Sequence, residues 1–560
     1  MNHLIDVELK VGTFQQASRI ILENDGGAAS LSEDSEEERL KVLFDVLAEV
    51  IKRKVQNYSM DKAGTLCITS RDIIEEGQGS IELVDPLTAA QKQLLKSLIK
   101  IIFHHADHLH ESEYTNIGQN NLILSVFVKK ITVEVFPDNL PTTPDPWYSG
   151  TNLLTAVHTI LEADSNLTVP KIQATKTKSY TVKFYSCLEE FDTMSARDLL
   201  GTFDSIDLGK EEEDNNFEDE AQTFCEEMPA TTKYTPFVIP LSQESLNFAK
   251  VTPLPSKHFE DLWENLHFED DIKQKMYGYA TVSLELKNFS EDVGNSNGNL
   301  DQILVNNKLL IVHGPPGTGK TTLCRGLCHK LSIRNTKVSV LDIIKPVYKG
   351  IVVEISCSHI FSRWFGESAK NIGTLFDDLE ALLKLNERTQ TFVCMIIDEV
   401  ETIAGSRKDI LSKNESSDSV RVVNTLLTRL DSLKKYNNFL ILATSNLLES
   451  LDPAFVDRSD GVFSIGNPSR ESVFKILFSS IQKLISLKVV TTEDSDDVID
   501  NHKYNSIINL ITNHCLKLEL SGRTLRKLPL LCLSENFRKL PVPLDNFMMG
   551  LAQLVKQFHK

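Results

Sequence analysis

The sequence predicts an α/β parallel sheet with a C-terminal helical lid, preceded by an α+β N-terminal domain. Three observations carry that prediction. Short apolar strands alternate with amphipathic helices between residues 259 and 468; a glycine-rich string, GPPGTGKT, follows the first of those strands and opens a helix; and strand-like runs nearly vanish after Arg470. Such alternation implies right-handed crossovers and a parallel sheet covered on both faces. The strands are expected at Leu309 to His313, Ile351 to Ser356, Phe392 to Ile397, Phe439 to Thr444 and Val462 to Ile465. The helices between them are expected at Lys320 to Ser332, Ala369 to Leu385, Val420 to Tyr436 and, briefly, near Pro453.

Upstream the grammar differs. Strand-like segments (Leu4 to Val11, Asn121 to Phe136, Ser179 to Leu188) mix with helical ones (Glu38 to Lys54, Pro86 to Phe103), which reads as α+β. Two breaks interrupt them: a Pro-rich stretch from Asp138 to Gly150, and an acidic stretch from Glu211 to Thr232 that holds no Lys or Arg. The expected boundaries are an N-terminal domain over 1–242, a linker over 243–258, a large α/β subdomain over 259–468 and a helical lid over 469–560.

Composition narrows the function classes. A chain of 560 residues is too long for one core, and 41% apolar with 24% charged residues is ordinary for folded protein. The net charge of −19 opposes sequence-independent binding to nucleic-acid phosphates, so direct nucleic-acid binding is not expected. Nine scattered cysteines without paired metal spacing read as reduced thiols. The amino terminus lacks the basic start and apolar stretch of a secretion signal, and no apolar run approaches the roughly 20 residues that cross a bilayer. A soluble, internal protein without a membrane partner is expected.

The chemistry begins at Gly314, Pro315, Pro316, Gly317, Thr318, Gly319, Lys320 and Thr321, with Thr322 next. Placed between a strand and a helix, this string is a phosphate cradle: its glycines let backbone N–H groups converge on phosphate oxygens, Lys320 supplies a point charge to the β/γ-phosphates, and the Thr321 hydroxyl suits Mg²⁺. The apolar run Phe392 to Ile397 ends in Asp398-Glu399. A buried strand delivers both carboxylates to its carboxyl end, where open parallel sheets bind ligands. Asp398 is expected to hold Mg²⁺ through water and Glu399 to act as general base on the attacking water. ATP and Mg²⁺ are therefore the expected cofactors.

One strand later, ILATSN ends in Asn446. An asparagine there more often caps a turn, but its place after the acidic pair favours orienting the same water. Arg458, in LDPAFVDR, follows a short helix where this kind of sheet presents an arginine to a neighbouring subunit. Such a guanidinium acting in trans contributes about 10³ to 10⁵ in rate, which makes hydrolysis depend on a ring. In the lid, Arg523 opens a helix and is expected to reach the γ-phosphate.

GPPGTGKT, IIDEVETIA (Ile396 to Ala404), ILATSN and the lid arginine together resemble the AAA+ superfamily of P-loop ATPases. Four further strings narrow the likeness: HIFSRWFGES (His359 to Ser368), SDSVRVVNTLLTRLD (Ser417 to Asp431), DPAFVDRSD (Asp452 to Asp460) and SGRTLRKLP (Ser521 to Pro529). They resemble the pachytene checkpoint protein 2 family, also called thyroid hormone receptor interactor 13 ATPases. The resemblance implies a homohexamer that hydrolyses ATP to pull on HORMA-domain proteins, opening their closed safety belt and releasing a bound peptide. It implies meiotic chromosome-axis targets and, in some lineages, a spindle-checkpoint target delivered by an adaptor. It also implies nuclear residence on meiotic chromosomes, with nucleolar and cytoplasmic pools allowed.

By the same resemblance Trp364, Phe365 and Gly366 form an aromatic loop in a central pore, a second pore loop lies within 405–418, and the N-terminal domain recruits substrate. Departures from the family pattern are the single arginine, Arg458, between Asp452 and Ser469, and a long tract over 335–350. A nucleotide-switched scaffold on chromatin is the alternative function, and a DNA-loading AAA protein a third; the acidic charge weighs against the latter. His104, His105, Asp107, His108 and His110 read as a solvated or partner-facing surface rather than a zinc site. Lys171, Lys176, Lys178 and Lys183 read as a solvated strand face, and Cys324 and Cys328 as small helix-packing residues.

Overall fold

The computed structural model describes residues 2–10, 33–58, 64–69, 127–136, 179–187, 241–268, 271–292, 307–335, 348–357, 367–388, 391–406, 417–436, 438–492 and 502–558, with Phe14 and Leu124. The chain divides into two compact units, Met1–Cys187 with Lys337–Val347, and Leu188–Thr336 with Tyr348–Lys560.

The first unit is α+β, as expected. Strands β1 (Asn2–Leu9), β2 (Gly64–Thr69), β3 (Val128–Phe136) and β4 (Ser179–Tyr185) form a sheet in the order β2-β3-β1-β4, joined by helix α1 (Glu33–Asn57). The period-two alternation of β1 puts Ile5 and Val7 opposite Val133 and Ile131, and Phe44, Leu47 and Ile51 of α1 complete that core. The opposite face is charged yet buried: Asp6 and Glu8 are 1% and 2% exposed. Lys183 is half-buried and in register with Asp6, so it is part of this charged face rather than a solvated one. Lys171, Lys176, Lys178, the His104 to His110 cluster, the Pro-rich break and the acidic stretch lie outside the described residues.

In the second unit the chain runs through α2 (Gln243–Leu246), β5 (Ala249–Leu254), α3 (Ile272–Asp292), β6 (Leu309–His313), α4 (Lys320–Arg334), β7 (Gly350–Ser356), α5 (Glu367–Arg388), β8 (Phe392–Asp398), α6 (Ser417–Leu433), β9 (Phe439–Ser445), α7 (Pro453–Val456) and β10 (Gly461–Ser464). The sheet order is β10-β6-β9-β8-β7-β5. Its first five strands are parallel, as expected, and β5 runs antiparallel to β7. The expected linker over 243–258 is thus corrected: it supplies the sheet's edge strand, and α2 is tied to α5 because Ser242 and Ser245 donate to Asp378 Oδ2 at 2.6 and 2.5 Å. A strand carrying Pro253 belongs at an edge, where a missing N–H costs no ladder bond.

Helices α5 and α6 cover one face of the sheet, and α3 and α4 the other. Cys324 and Cys328 are both fully buried on α4, as packing residues should be. The segment before α3 lies over α4: a Cβ on Gly326 would sit 3.1 Å from the Trp263 nitrogen, and Lys330, itself 2% exposed, pairs with Glu264 at 2.5 Å. The lid is α8 (Arg470–Ser486), α9 (His502–Lys517), α10 (Gly522–Asn536) and α11 (Leu544–Gln557) around Leu477, Leu525, Phe547 and Leu551. It also holds two short parallel strands, β11 (Val490–Thr491) and β12 (Val542–Pro543), which its helical sequence did not announce. No helix among the described residues is long and apolar enough to cross a membrane.

Trp263 is 1% exposed and anchors the segment that leads to the nucleotide site. Trp263→Ala should cost this unit about 3–5 kcal/mol, read as a lower unfolding midpoint in thermal or denaturant melts.

Candidate nucleotide site

Strands β6, β9 and β8 are adjacent and parallel, so the residues that follow them converge at one end of the sheet. After β6 the chain turns at Gly314, Gly317 and Gly319, whose φ angles are 148°, 80° and 98°. A side chain at Gly314 is excluded, because a Cβ would lie 2.0 Å from the Ile465 carbonyl oxygen. Gly319 is the N-cap of α4 and makes no side-chain cap, so the first N–H groups of the helix remain available to an anion.

Lys320 is buried, and its ammonium donates to Gly314 O at 2.8 Å, Pro315 O at 2.9 Å and Asn446 Oδ1 at 2.9 Å. Burial lowers its pKa, opposed by the carboxylates of Glu401, Asp398 and Glu399. The Thr321 hydroxyl donates to Asp398 Oδ1 at 2.7 Å, and the Thr444 hydroxyl donates to the same oxygen. Thr444 in turn accepts the Glu399 N–H at 3.2 Å. Glu399 has a φ of 54°, a left-handed turn uncommon for glutamate, and its side chain is exposed at the end of β8. Asn446 donates from its backbone N–H and its amide Nδ2 to Glu401 Oε1, at 3.1 and 3.0 Å.

The lid closes the other side. The Arg523 N–H donates to Gly317 O at 3.0 Å, and a Cβ on Gly317 would lie 2.9 Å from Ser521 Oγ. Between lid and sheet lies a cleft of 720 Å³ lined by Pro316, Gly317, Thr318, Gly319, Lys320, Thr321, Thr322, Asp398, Glu399, Asn446 and Arg523. Every predicted phosphate-side and acidic residue is therefore in one place, with Gly314 and Pro315 on the same loop. The donor set of Thr321 and Asp398, both oxygen ligands, fits Mg²⁺.

Arg458 does not line this cleft. Its guanidinium grips Asp431 of α6, with Nη2 to Oδ2 at 2.8 Å and Nε to Oδ1 at 3.1 Å, and Nη1 donates to Ala454 O at 2.8 Å. That grip on Asp431 is the main reason its carboxyl is held below its ordinary range. Trp364, Phe365 and Gly366 lie outside the described residues, as does most of the expected second pore loop.

Four features of the site escape sequence reasoning. Leu266, His267 and Phe268 line the cleft; a Cβ on Gly319 would lie 3.0 Å from Leu266 Cδ2, and Arg526 of the lid donates to Asn265 O at 2.9 Å. Thr444 organises the acidic pair from the neighbouring strand. Arg325, also in the lining, is held by a two-point pair to Glu354 at 2.9 and 2.7 Å. Glu401 holds Asn446. Thr444 and Glu401 lie inside ILATSN and IIDEVETIA, but nothing in those strings assigns them these partners.

Burial, with help from Lys273, Lys475 and Arg526, lowers the His267 pKa to about 4. The imidazole is therefore neutral at physiological pH. Because the folded pKa lies below the unfolded value of about 6.5, the unfolded chain binds the extra proton, and this contribution to stability is lost as pH falls from 6.5 toward 4. The stability difference between the wild type and His267→Asn should be flat above pH 7 and shift against the wild type below pH 6, measured as unfolding midpoints across that range.

The pattern of the ATPase family associated with various cellular activities (AAA) matches residues 310–467. Pachytene checkpoint protein 2 of Saccharomyces cerevisiae is 41% identical over 565 aligned residues, spanning 100% of this chain and 99% of that protein. The pachytene checkpoint protein 2 homolog of Arabidopsis thaliana is 37% identical over 327 residues, or 54% of this chain and 65% of that protein. The solved structure of C. elegans PCH-2 is 32% identical, covering 55% of this chain and 73% of that one, with a TM-score of 0.42. With its phosphate loop, acidic pair and lid arginine on one cleft, and with identity running through its whole length, this chain belongs to the pachytene checkpoint protein 2 family of AAA ATPases.

Proposed function

We propose that this ATPase works as a Mg²⁺-dependent homohexameric motor that remodels HORMA-domain proteins. The observation that carries the proposal is the seating of the lid on the phosphate loop: the Arg523 N–H bonds the carbonyl of Gly317, so a change at the nucleotide must be felt by the lid. The likeness of four separate strings to one family supports the choice of substrate, and the meiotic and nuclear setting rests on the same likeness.

In this reading Thr321 and Asp398 hold Mg²⁺, which when bound draws charge from the phosphate oxygens. Lys320 exchanges its carbonyl partners for β/γ-phosphate oxygens, and the N–H groups at the start of α4 take the rest of the triphosphate. Glu399, turned into the cleft by its left-handed backbone, accepts a proton from the attacking water. Arg523 meets the γ-phosphate from the lid, and Arg458, held outside the cleft of its own subunit by Asp431, is presented to the next subunit's nucleotide. Trp364 and Phe365, directly before α5, grip the substrate in the central pore, and the N-terminal unit recruits it, in some settings through an adaptor.

Glu399→Gln should bind ATP and assemble while turnover falls by about 10²–10⁴, and it should retain HORMA-domain protein in a pull-down. A variant hydrolysing at the wild-type rate would remove Glu399 from this role. Trp364→Ala should keep nucleotide affinity yet fail to convert a closed HORMA protein to its open form; unchanged conversion would rule out the pore loop.

A further inference from the structure

Glu401 lies two residues past Glu399, on the short 3-10 turn Val400–Thr402. It sits on a fixed frame. Val400 and Ala404 are fully buried, the Ala404 N–H bonds Val400 O at 2.8 Å, and the Asp452 N–H bonds Ala404 O at 2.8 Å. From this frame Glu401 Oε1 accepts both N–H groups of Asn446, the backbone one at 3.1 Å and Nδ2 at 3.0 Å. The other carboxylate oxygen, Oε2, is buried without a hydrogen-bond partner among the described residues. Such an orphan is costly, and packing alone does not account for keeping a carboxylate there.

On its other side the Asn446 amide faces Lys320, which donates to Oδ1 at 2.9 Å. An ammonium can only donate and a carboxylate only accept, so an amide wedged between them has a single allowed orientation. We propose that Glu401 is a positioning residue for ATP hydrolysis, fixing the Asn446 amide with its nitrogen held and its oxygen toward the phosphate loop. When Lys320 moves onto phosphate it no longer constrains Oδ1, and Glu401 becomes the group that prevents the amide from turning over. The held nitrogen keeps its second N–H for the γ-phosphate or the attacking water; a flipped amide would set its oxygen against the Glu401 carboxylate, acceptor against acceptor. The inference rests on the reading of this cleft as the site of hydrolysis.

The test compares the wild type with Glu401→Ala, Glu401→Gln, Asn446→Ala and the double variant Glu401→Ala/Asn446→Ala, using full-length protein. Each is assayed for steady-state kcat and KM and for affinity toward a fluorescent ATP analogue. Glu401→Ala should lower kcat roughly tenfold or more while nucleotide affinity stays near wild type. Glu401→Gln, which keeps an acceptor oxygen, should recover most of that loss. In the Asn446→Ala background, removal of Glu401 should have no further effect, because nothing remains to be oriented. The proposal is overturned if Glu401→Ala leaves kcat unchanged, if its effect persists undiminished without Asn446, if Glu401→Gln is as slow as Glu401→Ala, or if nucleotide affinity falls in step with kcat. A wild-type chain without turnover would instead remove the reading of the cleft itself, an outcome visible before any variant is compared.

Discussion

One carboxylate oxygen joins the three parts of the nucleotide site. Asp398 Oδ1 accepts from Thr321, the second residue of α4, and from Thr444, near the end of β9, while belonging itself to β8. Adjacent parallel strands bring these residues close, but their mutual geometry is set by this shared acceptor. Thr444 passes the constraint on by accepting the Glu399 N–H, so the carboxylate expected to activate water is placed by the group expected to hold metal. Charge-assisted hydrogen bonds of this kind are stronger than neutral ones and suit a site that must be ready before its ligand arrives.

The same frame reaches the lid through the phosphate loop. Gly317 tolerates no side chain because Ser521 and Arg523 approach it closely, and its carbonyl accepts the Arg523 N–H. The loop therefore presents one surface to a phosphate and another to the lid. A displacement of the loop by nucleotide cannot leave the lid untouched. Arg458 is fixed by Asp431 near the end of α6, apart from this frame.

Much of this was legible in the sequence because it is local. The core strands β6, β8 and β9 are apolar runs buried on both faces, which is how central parallel strands read. The phosphate loop and the acidic pair are short strings whose flanking elements fix their use. Strand β5 was missed because AKVTPL carries a lysine and a proline, and only pairing with β7, about a hundred residues later, makes it a strand. His267 was missed for a similar reason: the charges around it come from Lys273 of α3, Lys475 of α8 and Arg526 of α10 together. The partner of Asn446 was in plain view as Glu401 in IIDEVETIA, yet nothing short of the fold shows which of three nearby carboxylates it touches.

If the Asp398 carboxylate organises a metal-dependent ATP site, an isosteric change at that position tests it most directly. Titration of ATP with and without Mg²⁺ should show metal-dependent tightening and turnover for the wild type, and neither for Asp398→Asn, which keeps the shape but loses the charge. An Asp398→Asn protein that bound Mg²⁺ with ATP and hydrolysed it as the wild type does would contradict the organising role of this carboxylate.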